Sequence, residues 1–299
     1  MFSLLEERIL KCEGNSYKKL IRRIPLKIIK RIILFILMIL ILTGLLAVYA
    51  VKIEPYRLAV HDYELKKGPA SIELKLVHIS DIQVSEAYSE DRLGKLVDKI
   101  NGQSPDIVVF TGDLYDNYAS YHPEKKVEKA LSDIQAKYGK YAVWGNRDYG
   151  GSAMRAYPGI IQNGGFKLLA NESAIIRLPD GKKIGIGGLD DVLFGTPDYG
   201  LMESGELKNC DYKILLMHEP DAAERVPEKS ADLILAGHSH GGQVKLPFFK
   251  MKTSLAKKFT DGFYSVNGMK LFVNTGIGTS HYPIRFLVPP EIDVFRISI

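Results

Sequence analysis

Five apolar runs in this sequence end in the same way. Asp81 follows a run through Leu74, Leu76, Val77 and Ile79, and Asp113 follows Ile107 to Phe110 and Gly112. Asn146 follows Tyr141 to Trp144, and His218 follows Tyr212 to Met217. His238 and His240 follow Leu233 to Ala236. Short apolar runs bounded by turn residues read as buried strands. Residues 89–100 and 123–135, between these runs, have helical spacing. Leu93, Leu96, Val97 and Ile100 share one side of the first, with Ser89 as its cap, and Pro123 opens the second. Strands alternating with helices predict an α/β fold, in which ligands bind beyond the carboxyl ends of the strands. One Asp after a strand commonly caps the next helix. Six metal-ligand side chains in the same setting point instead to a metal site.

The last of these stretches is Gly237-His238-Ser239-His240-Gly241-Gly242-Gln243. Glycine gives the backbone the freedom to turn both rings toward one cavity. Alone, His-x-His in a loop fits two solvent-facing histidines equally well. In company with Asp81, Asp113, Asn146 and His218 it fits a site for Zn, Fe, Mn, Co or Ni.

The chain has 299 residues and divides into four segments. Residues 1–31 form a basic segment, 32–51 a membrane anchor, 52–71 a linker with a first strand, and 72–299 the metal-binding domain. Ile32 to Val51 is uncharged over 20 residues, the length that spans a bilayer core as a helix. Lys18, Lys19, Arg22, Arg23, Lys27, Lys30 and Arg31 precede it. That excess predicts a single-pass anchor with its N-terminus inside the cell and the body extracytoplasmic. A cleaved signal peptide ending near Ala50 is the alternative. Residues 1–17 read as a short amphipathic helix. The net charge of +5 sits in the N-terminal segment, because residues 53–299 hold 30 basic and 32 acidic side chains. A nearly neutral body excludes an electrostatic footprint for nucleic acid. Cys12 and Cys210, on opposite sides of the membrane, cannot pair.

Short strands follow over 166–169, 174–178 and 183–187, the last two joined by the turn Pro179-Asp180-Gly181-Lys182. Residues 269–274 and 292–297 close the chain as strands. His78 reads as a packed core histidine, and His281 lies after a glycine-rich loop near the site. Residues 247–259 mix aromatic and basic side chains and read either as a surface loop or as a membrane-facing lid.

Asp81-Ile82-Gln83, Gly112-Asp113, Gly145-Asn146-Arg147-Asp148, His218 and Gly237-His238-Ser239-His240 resemble the motifs of the calcineurin-like phosphoesterase superfamily, in order and spacing. Met217-His218-Glu219-Pro220-Asp221, Gly237 to Gln243 and Asn274 to Gly278 are similar to its membrane-anchored bacterial branch. That branch is related to enzymes that cleave UDP-2,3-diacylglucosamine in lipid A synthesis. The resemblance implies a four-layer α/β sandwich of two mixed β-sheets flanked by helices. It also implies two divalent metals: Asp81, Gln83 and His240 on the first, Asn146, His218 and His238 on the second, and Asp113 between them. Such a pair activates a hydroxide and clamps a phosphoryl group.

Two positions depart from the superfamily pattern, which has histidine at both Gln83 and Arg147. Arginine cannot readily donate a proton, but it can clamp a phosphate, with Asp148 expected to orient it. Arg147 and Asp148 are thus the expected catalytic residues, and Arg147 also binds substrate. The implied activity is hydrolysis of a phosphodiester or pyrophosphate on a lipid-linked or envelope substrate, by a monomer. The alternatives are a phosphomonoesterase and a non-catalytic metal-binding envelope protein.

Overall fold

Along strand β3 (Ile107–Phe110) every residue is buried, yet successive side chains enter different cores. Val108 and Phe110 face one way, and Ile107 and Val109 the other. Strand β9 (Leu233–Ala236) does the same, with Leu233 and Leu235 opposite Ile234 and Ala236. Strand side chains alternate, so a continuous apolar run requires cover on both faces. Two such sheets stacked together give this layering.

The computed structural model describes residues 25–68, 72–150, 152–246 and 249–299. The amphipathic helix expected over 1–17, the cationic side chains Lys18 to Arg23, and Cys12 lie outside them. The chain divides into two units, Met1–Tyr49 and Ala50–Ile299. In the first, α1 (Leu26–Val48) is a 23-residue helix with no buried residue. At about 1.5 Å per residue it reaches about 35 Å, long and apolar enough to cross a membrane. It starts six residues before the expected span and takes in Lys27, Lys30 and Arg31.

The second unit holds two six-stranded mixed sheets. Its remaining strands are β1 (Ala59–Lys66), β2 (Glu73–Ile79), β4 (Lys140–Ala142), β5 (Phe166–Leu168), β6 (Glu172–Arg177), β7 (Lys183–Gly188) and β8 (Tyr212–Leu216). After β9 come β10 (Lys245–Leu246), β11 (Phe249–Lys250), β12 (Gly262–Val266), β13 (Met269–Val273) and β14 (Glu291–Ser298). The helices are α2 (Glu90–Asn101), α3 (Glu124–Asp133), α4 (Asn146–Tyr149) and α5 (Tyr157–Asn163).

The first sheet runs β1-β14-β2-β3-β4-β5 and the second β12-β13-β9-β8-β7-β6. Leu76, Ile107 and Val109 meet Ile186, Ile214 and Leu235 between them. Leu93 and Leu96 of α2, Val127 and Leu131 of α3 and Ile160 of α5 cover the outer face of the first sheet. The outer face of the second is covered by 3-10 turns carrying Leu201, Met202, Leu207 and Ala223. The body is therefore the expected sandwich of two mixed sheets with helical outer layers. β1 lies within it, paired along its length with β14.

Strands β2, β3 and β4 are parallel neighbours in one sheet, and β8 and β9 in the other. The loops that carry Asp81, Asp113, Asn146, His218, His238 and His240 all follow the C-terminal ends of these strands.

Candidate metal centre

The backbone bends sharply where these strands stop. Asp81, Gln83, Asp113, His238 and His240 all have left-handed φ angles, at 49°, 51°, 62°, 67° and 49°. For residues with a Cβ this region costs roughly 1–2 kcal/mol each, so the surrounding structure must hold them. Asp81 N–H donates to the Gly112 carbonyl and Gln83 N–H to the Asp113 carbonyl, which locks the first two loops together. His238 N–H donates to Asp81 Oδ2 at 2.9 Å and joins the two sheets. Gly237 makes this approach possible, because a Cβ there would overlap Ser80 Oγ and Asp81 Oδ2.

The ligating atoms of Asp81, Asp113 and His218 lie within 4.8 Å of one another. His240 Nε2 is 3.4 Å from Asp81 Oδ1, and Gln83 Nε2 donates to Asp113 Oδ2 at 2.8 Å. Asp81 Oδ1, Gln83 Oε1, Asn146 Oδ1 and His240 Nδ1 are buried without a hydrogen-bond partner. Buried polar atoms normally have one. The three orphaned oxygens, together with His240 Nε2 beside Asp81 Oδ1, are donors of the kind a metal would satisfy.

The two histidines His218 and His238 test the fit more sharply. His218 Nδ1 lies 2.6 Å from the Thr111 carbonyl and His238 Nε2 lies 2.7 Å from the Ser254 carbonyl. A carbonyl only accepts, so both of those nitrogens carry hydrogen. The remaining two, His218 Nε2 and His238 Nδ1, then face each other with lone pairs 3.2 Å apart. Neutral rings repel in that arrangement unless a cation or a proton lies between them. Without metal a proton takes the place. Burial alone would lower the His218 pKa, but the Asp113 carboxylate 3.5 Å away carries it well above the usual range. His238 is pushed down to about 4 by burial and then by His218. The residues present therefore fit a divalent metal.

Asp113 is the central carboxylate. Its Oδ2 faces Gln83 and His218, and its Oδ1 accepts the Arg147 N–H at 2.8 Å. The Arg147 guanidinium is pinned at the site's edge. Its Nη1 donates to the Asp116 carbonyl and pairs with the Asp116 carboxylate at 2.8 Å. Its Nη2 donates to Ser280 Oγ and, at 2.9 Å, to His281 Nδ1.

Asp148 corrects one expectation. Its carboxylate is buried and accepts the backbone N–H groups of Asp113, Leu114 and Gly145. Burial and the Asp113 charge raise its pKa to about 8. It shapes the Asp113 loop, while Asp116 orients the guanidinium. Asp116 carries no motif, so nothing in the sequence marked it. Gln243 does lie in the histidine-rich stretch. Its amide makes two bonds to the backbone of Ser280, at 3.0 and 2.6 Å, and fixes the loop that meets Arg147.

A cavity of about 410 Å³ opens over the centre. Asp113, Asn146, Arg147, His238 and His240 line its floor, and Val244, Met251, Tyr282 and Ile284 form an apolar wall.

The calcineurin-like phosphoesterase family matches residues 74–242, which contain every candidate ligand. The chain belongs to that family. As a calcineurin-like phosphoesterase it is a hydrolase of phosphoester bonds, and enzymes of the family use divalent metals. The metallophosphoesterase YkuE of Bacillus subtilis is 36% identical over 255 residues, covering 84% of this chain and 89% of YkuE. A transmembrane protein with a metallophosphoesterase domain from Danio rerio is 29% identical over 85% of this chain, which spans 60% of that protein. The UDP-2,3-diacylglucosamine pyrophosphatase LpxG of Chlamydia trachomatis is 28% identical over 83% of this chain and 92% of LpxG.

Proposed function

We propose that this phosphoesterase cleaves phosphodiester or pyrophosphate bonds of a lipid-linked or envelope substrate, using two divalent metals. Asp81, Gln83 and His240 would hold one, Asn146, His218 and His238 the other, and Asp113 would serve both. Bound there, the metals would supply a hydroxide nucleophile and polarise the phosphoryl oxygen. Arg147 carries the choice of bond. It stands where a proton donor is usual, and its guanidinium is held by Asp116, Ser280 and His281. A permanently charged fork stabilises developing negative charge on a phosphoryl group but donates no proton to a poor leaving group. A phosphate or aryl oxide leaves without one, whereas a simple alkoxide does not. The pyrophosphatase LpxG among the relatives supports the same choice.

The basic residues before α1 and its apolar length support a single-pass anchor with the body outside the cytoplasm.

Full-length protein in detergent with Mn²⁺ should hydrolyse bis(p-nitrophenyl) phosphate faster than p-nitrophenyl phosphate, and Asp113→Ala should abolish both. Bound metal counted by mass spectrometry should approach two per chain. Faster turnover of the monoester, or of alkyl monoesters, would reject the bond preference.

A further inference from the structure

The cavity's apolar wall continues onto the surface as a rim built from three segments. Lys245 N–H donates to the Phe286 carbonyl, and Phe286 N–H donates to the Gln243 carbonyl, which pairs the segment before β11 with residues 285–287. On the other side of residues 285–287, Arg285 N–H donates to the Ala50 carbonyl and Leu287 N–H donates to the Glu54 carboxylate. Ala50 is the first residue of the body and follows α1 by one residue. The rim of the cavity is thus where the chain enters the body.

This rim is both apolar and basic. Tyr282 is 70% exposed, Met251 49% and Leu246 44%. Exposed Lys252 and exposed Lys245, the latter 3.7 Å from the Asp261 carboxylate, stand among them. A contiguous exposed apolar patch marks an interaction surface, and interleaved lysines suit an anionic bilayer surface rather than an uncharged protein groove. Arg285 stiffens the rim from beneath. Its fully buried guanidinium donates to the carbonyls of Thr275, Gly276, Gly278 and Val288.

We propose that this rim is a docking face for an anionic bilayer surface, so that the mouth of the cavity opens at the lipid interface. A membrane-resident substrate then reaches the metal centre without crossing water. The proposal rests on the anchored reading of α1.

The chain has one tryptophan, Trp144, which is buried, so an added indole reports its own surroundings. Full-length Tyr282→Trp and Leu246→Trp, reconstituted in phosphatidylcholine vesicles containing brominated lipid, are compared with Glu228→Trp. Glu228 is exposed and precedes β9, at the opposite edge of its sheet. The rim indoles should be quenched at least about twofold more than the Glu228 reporter. Phosphatidylglycerol should increase the difference, and salt or a second change, Lys245→Glu, should reduce it. Equal quenching at rim and control, in protein that floats with the vesicles, would overturn the docking face and leave the anchor standing. Protein that does not float would overturn both. Two independent rim reporters cover the case in which one variant fails to fold.

Discussion

A buried histidine three residues ahead of Asp81 governs the hydrogen bonds around that ligand. His78 is fully buried in β2, with Nε2 2.9 Å from Thr111 Oγ1. Thr111 donates its hydroxyl proton to Ser80 Oγ, and Ser80 donates to Asp81 Oδ2 at 2.6 Å. Each hydroxyl proton is committed forward, so His78 must be the donor at the head of the chain. The relay fixes which oxygen of Asp81 remains free. Outer partners of this kind are worth about 10–100-fold in metal affinity. Thr111→Val should therefore weaken Mn²⁺ binding by about that factor in titration calorimetry while the fold survives. Burial lowers the His78 pKa to about 3, against about 6.5 in an unfolded chain. Between those values the unfolded chain binds a proton that the folded one refuses. The contribution of His78 is thus complete above about pH 6.5 and lost toward pH 3, at about 1.4 kcal/mol per pH unit. His78→Gln can still donate to Thr111 but cannot titrate. In the metal-free protein, its melting temperature should fall less than that of the parent between pH 6.5 and 4. At Arg147, replacement by alanine should lower kcat on the diester by about 10²–10³-fold. Lysine should restore little, because a single ammonium cannot hold Asp116, Ser280 and His281 at once.

The elements deliver these residues through glycines placed where two loops nearly touch. A Cβ at Gly237 would strike the Ser80 and Asp81 side chains, at the point where the two sheets are joined. Gly237→Ala should lose metal binding and about 1–3 kcal/mol of stability, read from metal content and thermal melting. Gly159 in α5 is the contrast, with open space around its Cβ position. Gly159→Ala should leave metal content unchanged and raise stability by up to about 1 kcal/mol. Strand reading succeeded where both faces are covered, because burial on two sides leaves a plain apolar run. It failed at β12, where only the last residue, Val266, is buried and the others are half-buried or exposed. The hairpin signal is nevertheless present in Asn267-Gly268, with φ of 50° and 73° between β12 and β13, the geometry of a two-residue Asn-Gly turn.

At the scale of the molecule, the metal is an expected structural member as well as a reagent. A cation held there would replace the proton between His218 and His238 and satisfy the buried oxygens of Asp81, Gln83 and Asn146, which otherwise have no partner. A ligand bound only to the folded state at 100 times its Kd adds about 2.7 kcal/mol. For a body of this size that corresponds to about 5–10 °C. Chelation should lower the melting temperature by that much, Mn²⁺ should restore it, and Asp113→Ala should show no metal-dependent shift.

The sequence by itself determined the order of the strands' apolar runs, the presence of an apolar helix near the N-terminus and the identity of the candidate ligands. These depend on local periodicity and on chemistry carried by single residues. Only the tertiary structure decided which groups stand beside them. Asp116 rather than Asp148 holds Arg147, His78 is tied to Asp81 through two hydroxyls, and the carbonyls of Thr111 and Ser254 fix the histidine tautomers. Backbone carbonyls have no signature in a sequence. Arg147 meets Asp116, 31 positions away, because β3 and β4 are neighbours in one sheet, and His218 meets Thr111, 107 positions away, only because two sheets bring their strand ends to one edge.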